Sequence, residues 1–411
     1  MSGAGPVDLR LGFIPLVDCA PLAVARETGL FAAEGLNVTL SREASWANVR
    51  DKVQAGLLDG AHMLGPMTLA ASLGVGGERV PMIAPLSLNL NGSAITVSTS
   101  LAREMRALDP EAMSARPRAA RALARAIQAR RDRGDRPLAF ATVFPFSMHN
   151  YELRWWMAEA GVDPDRDLRL TITPPPRMAA RLRSGEVDGF CVGAPWNAVA
   201  VSQGAGEVLA HASELWRAGP DKVLGVTADW AARNPDVLRA LLRALLRAQA
   251  WADAPENRDA LVELLARAEY VDAPAEVIRL SFDGASSAAE APGDHIVFHR
   301  YAAGFPWLSH AGWFLAQMLR WGQIDPAVDI PAAARGVYRP DLYRAAASEI
   351  AAPAPLIDEK LEGAHAAPWM LDEAGAPIPM PADSFFDGRV FDLAQARRYA
   401  ASFDVGRLGG A

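Results

Sequence analysis

Apolar and polar positions alternate first with the two-residue period of a strand and then with the longer period of a helix, and this succession occurs twice. In the first series "LRLGFIP" predicts a strand, "LVDCAPLAVARETG" a loop and a helix closed by Gly29, and "LNVTL" a second strand, followed by an amphipathic helix running to Gly56. In the second, "LAFATVF" predicts the strand, "PFSMHNYELRWWMAEAG" the loop and a helix closed by Gly161, "DLRLTIT" the second strand and "PRMAARLRSG" the next helix. Each series then turns the same corner, G-x-x-D-G-x-x-x-x-x-P. It is built from Gly56, Asp59, Gly60 and Pro66 in "AGLLDGAHMLGPMTL", and from Gly185, Asp188, Gly189 and Pro195 in "SGEVDGFCVGAPWNA". A repeated β-α-β-α-β-α order implies parallel strands with right-handed crossovers, hence two α/β lobes with helices on both faces of each sheet.

Between the copies, residues 86–98, "LSLNLNGSAITVS", suit an extended crossover into the second lobe, and "PDKVLGVTADW" (220–230) suits the return. After it, "NPDVLRALLRALLRAQAWA" opens with Asn234 as N-cap and Pro235 at the first helical position. Leu238, Leu241, Leu242 and Leu245 then mark one apolar face. Residues 255–350 read as further helices around an aromatic segment, and the less regular tail from Ala351 ends in a docked helix within "FFDGRVFDLAQARRYAASF". The expected organisation is lobe I over 7–91, lobe II over 92–221, and a return to lobe I with a C-terminal helical extension over 222–405. Ligands of open α/β sheets bind beyond the strand C-termini, which places a cleft between the lobes.

Composition narrows the function classes. With 411 residues, 51% of them hydrophobic, the chain can bury a large core and divide into two domains. A net charge of -7 argues against general polyanion binding. The arginine-rich run 115–136 alternates with Ala, Leu and Ile as a surface helix does, so direct nucleic-acid contact is not expected. No apolar run is long enough to span a bilayer, and "MSGAGPVDLRLGF" has neither a basic n-region nor an apolar h-region, so a cytoplasmic protein without membrane contact is expected. Cys19 and Cys191 lack metal-ligand spacing and read as core residues. Asp294, His295 and His299 lack the zincin glutamate and read as part of a packed aromatic segment, so no metal or other cofactor is expected. Without a Walker A loop, nucleophile elbow, complete G-x-G-x-x-G or C-x-x-C pair, an enzyme is not expected either.

Long blocks of the sequence carry a resemblance: "EASWANVRDKVQAGLLDGAHMLGPM", "HNYELRWWMAEAGVDPDRD", "DGFCVGAPWNAVAVSQGAGE", "ELWRAGPDKVLGVTADWAARNP" and "FPWLSHAGWFLAQMLRWGQ". Over residues 7–405 the chain is similar to the nitrate- and bicarbonate-binding proteins of ABC transporters and their relatives. The resemblance implies an α/β, two-lobed periplasmic-binding-protein-like fold of type II, with the ligand in the cleft between the lobes. Because transporter members carry a leader, the chain most resembles the cytoplasmic branch, the NasS-type nitrate/nitrite sensors. That branch implies nitrate or nitrite as ligand and an antiterminator-type, NasT-like regulatory protein as partner in the control of nitrate assimilation. The alternative is the solute-binding subunit of a nitrate ABC transporter.

Nitrate is planar and weakly hydrated, and its site needs a cation, a few convergent donors and a flat apolar wall. Lys222, one of three lysines in a chain that otherwise uses arginine, falls at the return crossing. His149 stands where a helix begins after the first strand of lobe II, beside unpaired backbone N–H groups. Trp46 lies at the corresponding edge of lobe I and offers one N–H and a flat face. Each also has an ordinary use, as a surface lysine, a helix-capping histidine and a core tryptophan. The resemblance assigns Trp46, His149 and Lys222 to the nitrate site, and bicarbonate binders carry an acidic residue at the position of Lys222. Ser93 stands where the transporter nitrate binder has a glutamine. Trp196 and Asn197, which differ from Met67 and Thr68 in the matching corner, are further candidate contacts.

Overall fold

The computed structural model describes residues 5–283 and 294–408. Its strands are β1 (Val7–Phe13), β2 (Leu36–Arg42), β3 (Gly60–Leu64), β4 (Met82–Ser87), β5 (Leu90–Asn91), β6 (Ser93–Ser98), β7 (Ala139–Thr142), β8 (Arg169–Ile172), β9 (Gly189–Gly193), β10 (Gly206–His211) and β11 (Lys222–Thr227). Two five-stranded sheets result, ordered β2-β1-β3-β11-β4 and β10-β6-β9-β7-β8. In each, the three strands of one sequence repeat run parallel, and the crossing strands pair antiparallel to them. The fold is the two-lobed, type II periplasmic-binding-protein architecture with its cleft between the lobes.

The repeated corner does the same work in both sheets. Gly56 and Gly185 adopt left-handed φ values of 69° and 75° to end a helix, a conformation glycine takes without strain. Asp59 then accepts the Arg10 N–H at 2.8 Å, while its own N–H reaches the Arg10 carbonyl. Asp188 does likewise with Ala139, at 2.8 Å and 2.7 Å. Each carboxylate therefore supplies a ladder partner to the central strand before the next strand begins. Gly60 and Gly189 follow because a Cβ at either would overlap the Val226 side chain or the Phe140 ring. Pro66 lies in the first turn of the helix Gly65–Leu73, and Pro195 precedes the helix Trp196–Ser202.

The two crossings run side by side between the lobes. The Leu88 N–H donates to the Lys222 carbonyl at 2.8 Å and the Asn91 N–H to the Gly219 carbonyl at 2.7 Å. The helix Pro235–Asp253 presents the predicted leucine face to lobe I, with Leu238, Leu241, Leu242 and Leu245 buried. Asn234 stands at its N-cap, but the Asn234 side chain donates back to the Trp230 carbonyl instead of capping. The helix Leu308–Arg320 is buried on every side, packed against both the lobe I helix Gly65–Leu73 and the lobe II helix Met148–Ala158. Trp155, Trp216, Trp313 and Phe385 interlock there, with neighbouring ring centroids 4.9–5.5 Å apart. The irregular tail covers this aromatic seam and ends in the short helix Ala396–Ala401.

Candidate functional site

Lys222 opens β11 at the point where the chain re-enters lobe I, and it is buried. Its ammonium donates to Asp18 Oδ2 at 2.8 Å and to Asp221 Oδ2. Asp18 comes from the turn Val17–Cys19, just beyond the C-terminal end of β1, the position where an open α/β sheet presents ligand-binding groups. His62, on β3, fixes the other Asp18 oxygen, with its Nε2 2.8 Å from Oδ1. Because His62 Nδ1 accepts the Ile14 N–H at 3.4 Å, the neutral ring carries its proton on Nε2, close to the aspartate but out of line for a hydrogen bond with it.

Trp46 begins the helix Trp46–Gln54, whose first turn is capped by the Ser45 hydroxyl accepting from the Asn48 N–H. Its ring packs on His62 with centroids 5.2 Å apart and turns a face toward Lys222, whose Nζ lies 5.7 Å from the ring centre. Trp46 Nε1 is buried without a hydrogen-bond partner. From lobe II, His149 lies in the first turn of the helix Met148–Ala158, and its Nε2 is 3.7 Å from Asp221 Oδ2. Among the described residues, neither nitrogen of this buried ring has a hydrogen-bond partner. One turn along the same helix, Glu152 accepts the Ser93 hydroxyl at 2.5 Å and the Cys191 thiol at 3.6 Å.

The structure thus brings Trp46, His149 and Lys222 together from two lobes. Ser93 is adjacent, but its hydroxyl is committed to Glu152. Asn197 turns inward, accepting from Thr96 at 2.8 Å and donating to the Val192 carbonyl at 2.7 Å. Trp196 reaches across the cleft instead, donating to the Pro15 carbonyl at 3.0 Å, next to the bond from the Val17 N–H to the Ala194 carbonyl at 2.9 Å. The lobes are therefore closed upon one another. Sequence reasoning missed Asp18, His62, Glu152 and Asp221. The position of Asp18 after β1, matching that of His149 after β7, and the adjacency of Asp221 to Lys222 were the available signals.

These acidic residues change the electrostatics. Burial alone would raise the Asp18 pKa, but Lys222 and His62 hold the carboxyl well below its usual range. Asp221 is pushed up to about 7 by burial, against the pull of Lys222. Burial works against the Lys222 charge, yet the two carboxylates raise its pKa above the ordinary value. Burial keeps His62 and His149 neutral by lowering their pKa values. Glu152 is raised to about 7, again by burial. The arrangement is a cation clasped by two aspartates, with unused N–H donors of Trp46 and His149 beside it.

Elsewhere, the arginines of the helix Arg121–Arg133 pair with Asp109, Glu104 and Asp167. The His295 ring lies against His211 with centroids 4.7 Å apart, and the His299 N–H donates to Asp253. Cys19 and Cys191 are buried free thiols. Among the described residues no group of three or more His, Cys, Asp or Glu could hold a metal ion, and no helix is long and apolar enough to cross a membrane.

Residues 2–266 match the model of the NMT1-like family. The chain is 36% identical to the nitrate/nitrite binding protein NrtA of Synechococcus elongatus, over 83% of this chain and 78% of that protein. It is 34% identical to the nitrate import ATP-binding protein NrtC of Synechocystis, over 99% of this chain, and spans 56% of the length of that relative. The solved periplasmic nitrate-binding protein NrtA of Synechocystis superposes with a TM-score of 0.84 at 29% identity, covering 97% of this chain and 99% of that one. These relatives are named as binding and transport proteins. They correct the expectation of a cytoplasmic NasS-type sensor with an antiterminator partner and no membrane involvement, because the similarity runs to transport components and to a periplasmic structure. The cytoplasmic expectation rested on the first few residues, whereas the similarity is carried by the lobes.

Proposed function

The chain belongs to the NMT1-like family and to that of the NrtA nitrate/nitrite-binding proteins, and on that premise we propose that it is the periplasmic binding subunit of an ABC importer, with nitrate or nitrite as its ligand. The observation that carries this reading is the convergence of Lys222, Trp46 and His149, from both lobes, at the C-terminal ends of the central strands. In this reading Lys222 supplies the charge and the Trp46 ring forms one wall of the anion site. Trp46 Nε1 and a ring nitrogen of His149, both without partners, donate to its oxygens. The bonds from Trp196 to Pro15 and from Val17 to Ala194 join the lobes when closed, and a ligand that contacts groups of both lobes favours this closed state, which a membrane-bound permease would recognise. Isothermal titration of nitrate and nitrite tests the assignment. The wild type binds one of them, and Lys222→Glu, which places a third carboxylate beside Asp18 and Asp221, abolishes detectable binding. Unchanged affinity in that variant overturns the site.

A further inference from the structure

We propose that the anion enters the cleft with one proton, taken up by Asp221, and that this proton releases the Lys222 ammonium to the ligand. The inference rests on the anion-binding reading above. It begins with a charge count in a cluster whose side chains are buried. Asp18 and Asp221 contribute two negative charges, Lys222 one positive, and the neutral rings of His62 and His149 none. A monoanion added to this set would leave two uncompensated negative charges away from water, and burying unpaired charge is strongly unfavourable. One added proton restores the original balance.

Geometry selects Asp221 as its acceptor. On Asp18, Lys222 donates to Oδ2 and His62 Nε2 lies 2.8 Å from Oδ1, out of line for a hydrogen bond, so both oxygens face a nitrogen. Asp221 is held through Oδ2 alone, and its Oδ1 is buried without a partner. Among the described residues, the groups that face or act on Asp221 are Lys222 on β11, Asp18 from the turn after β1, His149 and Glu152 from the lobe II helix, Cys191 on β9, and Tyr338 at the end of the helix Ile330–Val337. The Tyr338 hydroxyl is likewise buried without a partner. Glu152 accepts from Ser93 and Cys191 and makes no contact with the ammonium, so protonating it would free no donor for the ligand. Protonated Asp221 releases one Lys222 N–H and gains an O–H of its own, so both can point at the incoming anion. The overall step takes an anion and a proton from solvent, and the charge of the cluster is unchanged. Burial already lifts the Asp221 carboxyl to about 7, which makes the proton available near neutral pH.

The test is calorimetry of the full chain with sodium nitrate and sodium nitrite, each in two buffers of different ionisation enthalpy. Close to one proton is taken up per anion at about pH 8 and much less at about pH 6, and Kd rises about tenfold per pH unit between about pH 8 and 9. Asp221→Asn binds with no proton uptake and a Kd independent of pH over that range. Wild-type binding with no proton uptake and a flat pH profile overturns the proposal while leaving the anion-binding reading intact. Uptake that persists in Asp221→Asn but vanishes in Glu152→Gln overturns the assignment to Asp221. Absence of binding by either anion at every pH overturns both readings.

Discussion

Glu152 is a carboxyl in a helix buried on all sides, and among the described residues its hydrogen-bonding neighbours are a hydroxyl and a thiol. Burial raises its pKa to about 7, so the folded state binds a proton that the unfolded chain releases near the usual carboxylate range. The stabilisation this provides is complete below the unfolded pKa and is lost as pH rises through about 7. Asp221 acts in the same direction. Burial lowers the pKa values of His62 and His149, which opposes this trend, so the contribution of Glu152 is read as a difference: the melting temperature of the ligand-free wild type relative to that of Glu152→Gln should be lower at about pH 8 than at about pH 5. Glu152→Gln is neutral at every pH, and scanning calorimetry of both proteins across the range measures that difference. Wild-type and variant curves of identical slope would mean that Glu152 titrates normally. At this scale the sequence revealed the donors and hid the acceptors. Trp46, His149 and Lys222 stand out through the family resemblance, since each also has an ordinary use when read alone. Asp18 and Asp221 look like solvated loop residues until the tertiary fold removes the water around them.

The repeated corner is the element whose chemistry the sequence carried most directly, since its spacing alone shows two copies of one strand connection. What spacing could not show is that the aspartate works as a ladder partner and not merely as a turn former. Asp188 is largely buried and accepts the Ala139 N–H, and it also receives both ends of the Arg136 guanidinium fork at 2.8 Å and 2.9 Å. The two interactions differ in worth. Arg136 is more than half exposed, and a pair of that kind contributes less than about 1 kcal/mol. Leaving the buried Ala139 N–H without an acceptor costs about 1–3 kcal/mol. Asp188→Ala should therefore lower unfolding stability in urea by about 2 kcal/mol or more, and Arg136→Ala by less than half as much. Equal losses in the two variants would show that the ion pair, not the ladder bond, secures the corner. The helix Leu308–Arg320 marks the limit of pattern reading at this scale. Its sequence suggests aromatic packing, but nothing local says that both lobes cover it.

That helix and the tail after it bear on how the molecule opens. Hinge motion would turn the lobes about the paired crossings near Leu88 and Lys222, yet the C-terminal region is fastened to both lobes. On lobe II, Trp155 Nε1 donates to Asp387 at 2.7 Å, Arg389 reaches Glu159 at 3.1 Å and Arg407 reaches Asp163 at 3.0 Å. On lobe I, Leu308–Arg320 packs against Gly65–Leu73. Opening must then slide the tail over one lobe, and the bond from Trp155 to Asp387, with Phe385 and Phe386 packed on the same indole, lies on the lobe II path. Breaking it removes resistance to opening without touching any group at Lys222. Asp387→Ala should therefore speed release of bound nitrate by about threefold to tenfold, a change of about 1 kcal/mol in the opening barrier, with little effect on the association rate. Stopped-flow tryptophan fluorescence against a competing chase reads both rates. If the tail travels with a single lobe and slides over neither, the release rate will match that of the wild type.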